Sequence, residues 1–129
     1  MSREPLIAVI DDDEPFRLAL VDSLCSLEYR ARGFASAEEF FAANGESSCD
    51  CVVTDIHMPG MSGIELQLRL RSEGSRVPFV FVTAVPEESV RASALEGGAI
   101  CFLTKPFDED CLVACLGKAL ALYIGGAHG

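Results

Sequence analysis

The apolar positions of this chain fall into two alternating patterns. Leu6-Ile7-Ala8-Val9-Ile10 is a continuous apolar run, the mark of a strand buried on both faces. Cys51 to Thr54, Pro78 to Thr83 and Ile100 to Leu103 repeat that pattern, and Tyr29 to Phe34 reads as a less apolar strand at an edge. Helical spacing separates these runs. Phe16, Leu20, Leu24 and Leu27 follow Pro15, which suits a first helical turn. Ser36-Ala37-Glu38-Glu39 and Ser62-Gly63-Ile64-Glu65 are capping boxes. The first opens a short helix with Phe40 and Phe41, and the second a helix with Ile64, Leu66, Leu68 and Leu70. Pro86-Glu87-Glu88 opens another, closed by Gly97-Gly98. Asp108 is placed to cap the last helix, with Leu112, Leu116 and Leu120 on one side. Gly45 to Asp50 reads as a polar loop, and Gly125 to Gly129 as a frayed tail.

Strand and helix alternate five times along the chain. That predicts an α/β fold: a parallel sheet with helices on both faces, joined by right-handed crossovers. The strand ends then share one rim. Strand one ends in Asp11 and Asp12, strand three in Asp55, strand four in Thr83 and strand five in Lys105. Ligand sites of open α/β sheets lie at such carboxyl ends. Three carboxylates there repel one another unless a cation intervenes, and a hard cation such as Mg2+ suits carboxylate oxygens. An aspartate can act as a nucleophile toward phosphorus. Lys105 and Mg2+ would neutralise charge, and the Thr83 hydroxyl would bond a phosphoryl oxygen.

Composition narrows the classes. The 129 residues fit one domain, and half are hydrophobic. No run approaches the ~20 apolar residues of a membrane helix, and no signal peptide is visible, so the expected location is the cytoplasm. The formal net charge of -10 argues against nucleic-acid binding and against an anionic membrane surface. The six cysteines include no C-x-x-C, and His57 and His128 are not in zinc spacing. Cys111 and Cys115, four apart on a helix, could hold a metal, but the expected role of the cysteines is as small apolar fillers in a reducing compartment.

Asp11-Asp12, Asp55-Ile56-His57-Met58-Pro59-Gly60-Met61-Ser62-Gly63, Thr83-Ala84 and Lys105-Pro106-Phe107 together resemble the receiver domain of two-component response regulators. The resemblance covers about Leu6 to Leu122, and the wording around Asp11 to Pro15 and Lys105 to Phe107 is most similar to the nitrogen-fixation (FixJ-like) type. It implies a flavodoxin-like fold with strand order 2-1-3-4-5, a receiver domain over residues 5–122, a tail over 123–129 and no output domain. It implies Asp55 as the acceptor of a phosphoryl group from a sensor histidine kinase. Asp11, Asp12, Asp55 and the backbone carbonyl of His57 would hold Mg2+, and Thr83 and Lys105 would bind the phosphoryl group. Phe102 falls where the family keeps an aromatic that changes rotamer, and the Lys105-Pro106 bond is expected to be cis.

Output would then run through the helix at Glu87 to Glu96, the fifth strand and the last helix, with Val90, Ala94, Phe102 and Val113 as apolar candidates. A phosphorylation-dependent second copy or a downstream protein would read that face. Two other readings compete. An aspartyl-phosphate phosphatase of the haloacid-dehalogenase type needs a second acid two residues after the nucleophile, where this chain has His57. An interaction module that is never phosphorylated would usually lack an acid or the lysine, and here all are present. A nucleotide site would need a glycine-rich phosphate loop, which the chain lacks.

Overall fold

A computed structural model describes residues 5–43, 45 and 49–128, with side chains through residue 121. Residues 46–48 of the expected polar loop lie outside the described residues. The elements run β1 (Leu6–Ile10), α1 (Glu14–Ser26), β2 (Arg30–Phe34), α2 (Ala37–Ala42) and β3 (Cys51–Asp55), then α3 (Gly63–Ser72), β4 (Phe79–Thr83), α4 (Glu88–Glu96), β5 (Cys101–Thr104) and α5 (Glu109–His128). All strand pairs are parallel and the order is β2-β1-β3-β4-β5, so the expected doubly covered sheet is the one observed.

The period-2 pleat sorts the apolar runs onto two faces. Ala8, Ile10, Val52, Phe79 and Phe81 pack with Phe40 of α2, Leu66 and Leu70 of α3 and Ala94 of α4. Ile7, Val9, Val53, Val80 and Val82 pack with Leu20 and Leu24 of α1 and Leu112, Leu116 and Ala119 of α5. Each such side chain taken wholly out of water contributes about 1.5–3 kcal/mol, so the continuous apolar strands are what the two helix layers close over. β2 and β5 are the edges. β2 guards its edge with the exposed Arg30 and Arg32.

Several local expectations need correction. In α3 the inward face is Leu66, Gln67 and Leu70, while Leu68 is 59% exposed. Residues 66, 67 and 70 share one face of a 3.6-residue helix, and residue 68 falls outside it. The Gln67 amide Nε2 donates to the carbonyl of Ala94 (3.2 Å), tying α3 to α4. At α2, Ser36 Oγ accepts from the Glu39 N–H, but Glu39 Oε1 accepts from the Ala35 N–H instead of closing the box. The Ser62–Glu65 box closes on both sides. Asp108 stands at the start of the last helix as expected, its backbone carbonyl accepting from the Cys111 and Leu112 N–H groups. Ala94 is fully buried under α4 and offers no surface. The backbone of α5 is helical to His128, through Gly125 and Gly126, where the sequence reading placed a frayed tail; glycine inside a helix costs only about 1 kcal/mol. Cys101 and Cys115 are not simple fillers: they form a disulfide between β5 and α5. Among the described residues, no helix is long and apolar enough to cross a membrane.

Helices α1, α3 and α4 end in the same turn. The Glu28, Gly74 and Gly98 N–H groups donate to Cys25, Arg71 and Leu95, and the next residues Tyr29, Ser75 and Ala99 donate to Leu24, Leu70 and Ala94. This turn requires a left-handed residue, and φ is +87° at Gly74, +93° at Gly98 and +71° at Glu28. It also explains why β2 starts at Arg30: the Tyr29 N–H is spent on closing α1. A side chain in that region costs about 1–2 kcal/mol. Glu28→Gly is therefore expected to raise the urea unfolding free energy by about 1 kcal/mol, and Gly74→Ala, whose new Cβ has open space, to lower it by a similar amount. Equal midpoints for both variants and wild type would count against this account.

The acidic site at the strand ends

Three carboxylates and one ammonium meet where the sequence placed them. Asp11 follows β1 and is fully buried. Its backbone is fixed from two sides: its N–H donates to the Phe34 carbonyl (3.1 Å), and its carbonyl accepts from Arg17 Nη1 (2.8 Å). Asp11 Oδ1 accepts from the Asp13 N–H (2.9 Å), while Asp13 itself caps α1 by accepting from Phe16. Asp55 ends β3, and its Oδ1 accepts from the His57 N–H (3.1 Å). Gly63 makes the return of the chain possible, because a Cβ there would collide with the Asp55 carbonyl.

Lys105 closes the constellation. Its ammonium donates to Asp11 Oδ2 (2.8 Å) and to Asp55 Oδ2 (3.1 Å). Its backbone N–H donates to the Thr83 carbonyl (2.8 Å), and the Lys105-Pro106 peptide is cis, as expected. The ammonium lies 3.9 Å from the centre of the Phe16 ring, an aromatic floor. Phe107 packs edge-on against that ring. Burial on its own would lower the Lys105 pKa, but the hydrogen bonds to Asp11 and Asp55 outweigh it and hold the group above its ordinary value. Asp11 is pushed up, chiefly by burial, with the Asp55 charge adding to it. The hydrogen bonds from Lys105 and the Asp13 N–H offset this only in part.

Asp12 is exposed and takes no part in that bridge. Even so, one carboxylate oxygen from each of Asp11, Asp12 and Asp55 lies within 4.8 Å of the others. A set of oxygens only, graded from buried to exposed, fits a hard divalent cation that keeps part of its water shell. His57 faces outward: its Nε2 lies 3.5 Å from Glu87 Oε1, and both side chains are about half exposed. Such a pair contributes little to stability, and the imidazole is not among the clustered oxygens. Thr83 is buried, but its hydroxyl is turned into its own loop. It accepts from the Val85 N–H (3.1 Å) and donates to the Val85 carbonyl (3.3 Å). Phe102 is half-buried against the core beside Phe81, its register partner.

Sequence reasoning missed the residues that hold this set from outside. Phe16 under Lys105 and Glu38, whose Oε2 accepts from the Met61 N–H (3.1 Å), are distant in sequence from what they hold, and Arg17, six residues from the Asp11 carbonyl it holds, matches no motif. Only Phe16 had a signal, an apolar residue at the open end of α1, and that was absorbed into the core reading.

This parallel sheet with an Asp-Asp-Asp-Lys rim is that of a two-component receiver, and the profile of the response regulator receiver domain matches residues 7–116. The chain belongs to that family, whose members receive phosphoryl groups from sensor kinases and bind Mg2+ in an acidic pocket. It is 34% identical over 120 residues to the response regulator protein TmoT of Ectopseudomonas mendocina, covering 93% of this chain and 54% of that one. It is 36% identical over 120 residues to the transcriptional regulatory protein FixJ of Bradyrhizobium diazoefficiens, covering 93% and 58%. The chain thus spans about half the length of these curated relatives. Among solved structures, the response regulator StyR superposes with a TM-score of 0.90 at 35% identity, covering 98% of this chain and 64% of that one. The FixJ N-terminal domain gives 0.84 at 28% identity, covering 92% and 95%.

The raised Asp11 pKa has a definite sign in stability. As pH falls through that raised value, the folded protein takes up a proton that the unfolded chain does not yet bind. The contribution of Asp11 to stability therefore grows on acidification, and the cost of its buried charge is in force above that value. In metal-free buffer, wild type is expected to gain more in urea midpoint than Asp11→Asn as pH is lowered from about 7 toward the ordinary aspartate value of about 4. An identical gain in the two proteins would remove Asp11 from the account.

Proposed function

We propose that this chain is a phospho-accepting receiver in which Asp55 takes a phosphoryl group from a sensor histidine kinase. The observation that carries the reading is the Lys105 ammonium held between Asp11 and Asp55, with the Asp12 carboxylate beside them. A carboxylate oxygen of Asp55 attacks phosphorus, the new P–O bond forms, and the P–N bond to the donor imidazole breaks. Asp11, Asp12, Asp55 and the His57 backbone carbonyl would hold Mg2+, which when bound supplies positive charge against the carboxylates and the phosphoryl oxygens. Lys105, already fixed over the rim, contacts the incoming oxygens with no reorganisation of its backbone. The chain turns over no small substrate of its own in this reading; it accepts the group and loses it to water.

Thr83 links the chemistry to output. Its two hydrogen bonds to Val85 are neutral ones, each contributing about 0.5–1.5 kcal/mol. A bond to a phosphoryl oxygen is charge-assisted and roughly twice as strong, so a phosphoryl group on Asp55 favours turning the hydroxyl away from Val85. Thr83, Phe81 and Phe102 share the sheet face under α4, by the pleat and by the Phe81–Phe102 pairing. Phe102 is placed to move into the space the hydroxyl leaves. Val90, Phe102 and Val113 remain as partly or fully exposed apolar groups on the α4–β5–α5 face, where a second copy or a downstream protein would bind.

A small acyl phosphate with Mg2+ is expected to add one phosphoryl group to the wild-type chain and none to Asp55→Asn, with Asp12→Asn weakened in Mg2+ titration. Intact mass reads the first and Mg2+ affinity the second. Labelling that persists in Asp55→Asn would overturn the acceptor, and absent labelling of wild type would favour a module that is never phosphorylated.

The switch has its own readout. A beryllofluoride mimic is expected to change the NMR environment of Phe102 in wild type and to change it far less in Thr83→Ala. An occupied site with an unmoved Phe102 in wild type would make Phe102 a fixed core residue.

A further inference from the structure

The disulfide between β5 and α5 lies outside the chemistry described so far. Cys101 is the first residue of β5 and Cys115 is in the body of α5, fourteen residues on, with their Cα atoms 5.9 Å apart. That separation lies inside the range of about 4.4–6.8 Å in which two cysteines bond without moving the backbone. Both side chains belong to the core layer shared by α1 and α5. Cys115 is only 8% exposed, whereas Cys101 is partly open at the sheet edge. Of the other four cysteines, Cys25 and Cys111 are exposed, and Cys49 and Cys51 are buried.

We propose that Cys101 and Cys115 form a reversible two-electron thiol–disulfide site that latches α5 to the edge strand β5. A peroxide oxidises the accessible Cys101 thiolate to a sulfenic acid and leaves as hydroxide. The Cys115 thiol then attacks that sulfur, the Sγ–Sγ bond forms and water departs. In the reverse direction an external thiolate attacks Cys101, the Sγ–Sγ bond breaks and Cys115 leaves as thiolate. A second external thiol then releases Cys101, and the external disulfide is the product.

The latch matters because β5 is otherwise lightly held. It is an edge strand of four residues with β4 as its one hydrogen-bonded neighbour, and none of its residues is fully buried. The fully buried part of the α5 core lies on the inner strands, with Leu112, Leu116 and Ala119 clustered with Val9, Val53, Val80 and Val82, while Leu103 of β5 packs against that cluster only partly buried. The disulfide thus connects the buried face of α5 to a short edge strand. The residue after Cys101 is Phe102, on the opposite face of that strand. The oxidised form therefore restrains the backbone on which Phe102 rides, and the reduced form releases it. This consequence for Phe102 rests on the proposed function; the thiol chemistry does not.

The test uses the whole chain in two portions, one kept in dithiothreitol and one treated with hydrogen peroxide, each then unfolded and alkylated. The reduced portion is expected to take six alkyl groups, one on each cysteine. The oxidised portion is expected to take four, with the Cys101 and Cys115 peptides recovered as one linked species. Hydrogen exchange at α5 amides is expected to slow about tenfold on oxidation, and Cys115→Ser and Cys101→Ser are each expected to abolish that difference, while Cys111→Ser keeps it. Six alkyl groups in the oxidised portion, a linkage through Cys25 or Cys111, or equal α5 exchange in both portions would each overturn the proposal. Acyl phosphate labelling of Asp55 in the same two portions separates the two readings: its loss in both strikes the acceptor assignment and leaves the latch standing.

Discussion

The Lys105 ammonium shared between Asp11 and Asp55 is the constraint around which the rest of the molecule is arranged. Removing Asp11 from water is costly, and its raised pKa records that the single ammonium repays only part of the cost. The pair is also demanding in geometry. β5 lies two strand positions from β3 and three from β1, at roughly 4.8 Å per step. A lysine cannot cover that span from the body of a strand. Lys105 does so from one residue beyond β5, with its N–H anchored to the Thr83 carbonyl and its stem carried over Phe16. The aromatic floor and the curled loop are consequences of bringing one cation to two acids on distant strands.

Much of this was legible because a parallel sheet converts a one-dimensional pattern into a place. Strands buried on both faces announce themselves as unbroken apolar runs, and each run here ended in a residue capable of chemistry. Asp55, Asp11 and Lys105 could be placed together once the strands were known to be parallel. What stayed hidden depended on distances that sequence separation does not encode. Arg17, Phe16 and Glu38 hold the site from neighbouring loops and helices. The Cys101–Cys115 bond joins two residues whose spacing matches no motif. In α3, a helix crowded with leucines, composition does not show which stripe faces inward, and Gln67 rather than Leu68 took the inner position.

Stability is distributed unevenly across the face beneath α4. Helix α3 opens with a closed capping box and buries Leu66 and Leu70 completely. Helix α4 opens at Glu87 without a side-chain cap and buries only Ala94. Two polar ties reach it from α3: Arg71 Nε donates to the Gly97 carbonyl (3.1 Å), and the Gln67 Nε2 reaches the Ala94 carbonyl (3.2 Å) while its Oε1 is buried without a partner among the described residues. A buried acceptor left unsatisfied costs about 1–3 kcal/mol. Gly97 lies against that same amide, and any Cβ there would press on it. The contact between α3 and α4 is therefore tight in space and leaves one buried acceptor unsatisfied, a place from which alternative arrangements can be drawn.

The proposed switch needs such an element, and the order of the strands supplies it next to the chemistry. Asp55 and Thr83 end adjacent strands, and the loop that binds the Thr83 hydroxyl leads directly into α4. Drawing that hydroxyl toward Asp55 frees the Val85 backbone groups, which then seek other partners or water. A well-capped helix would absorb the change in its loop. Helix α4, with no side-chain cap and one buried residue, follows it more cheaply than the capped α3 would. The direction of any response is thus set by where the fold left a helix weakly held, and the acidic rim, firmly tied on the β1 and β3 side, can change its charge without disturbing the rest of the sheet.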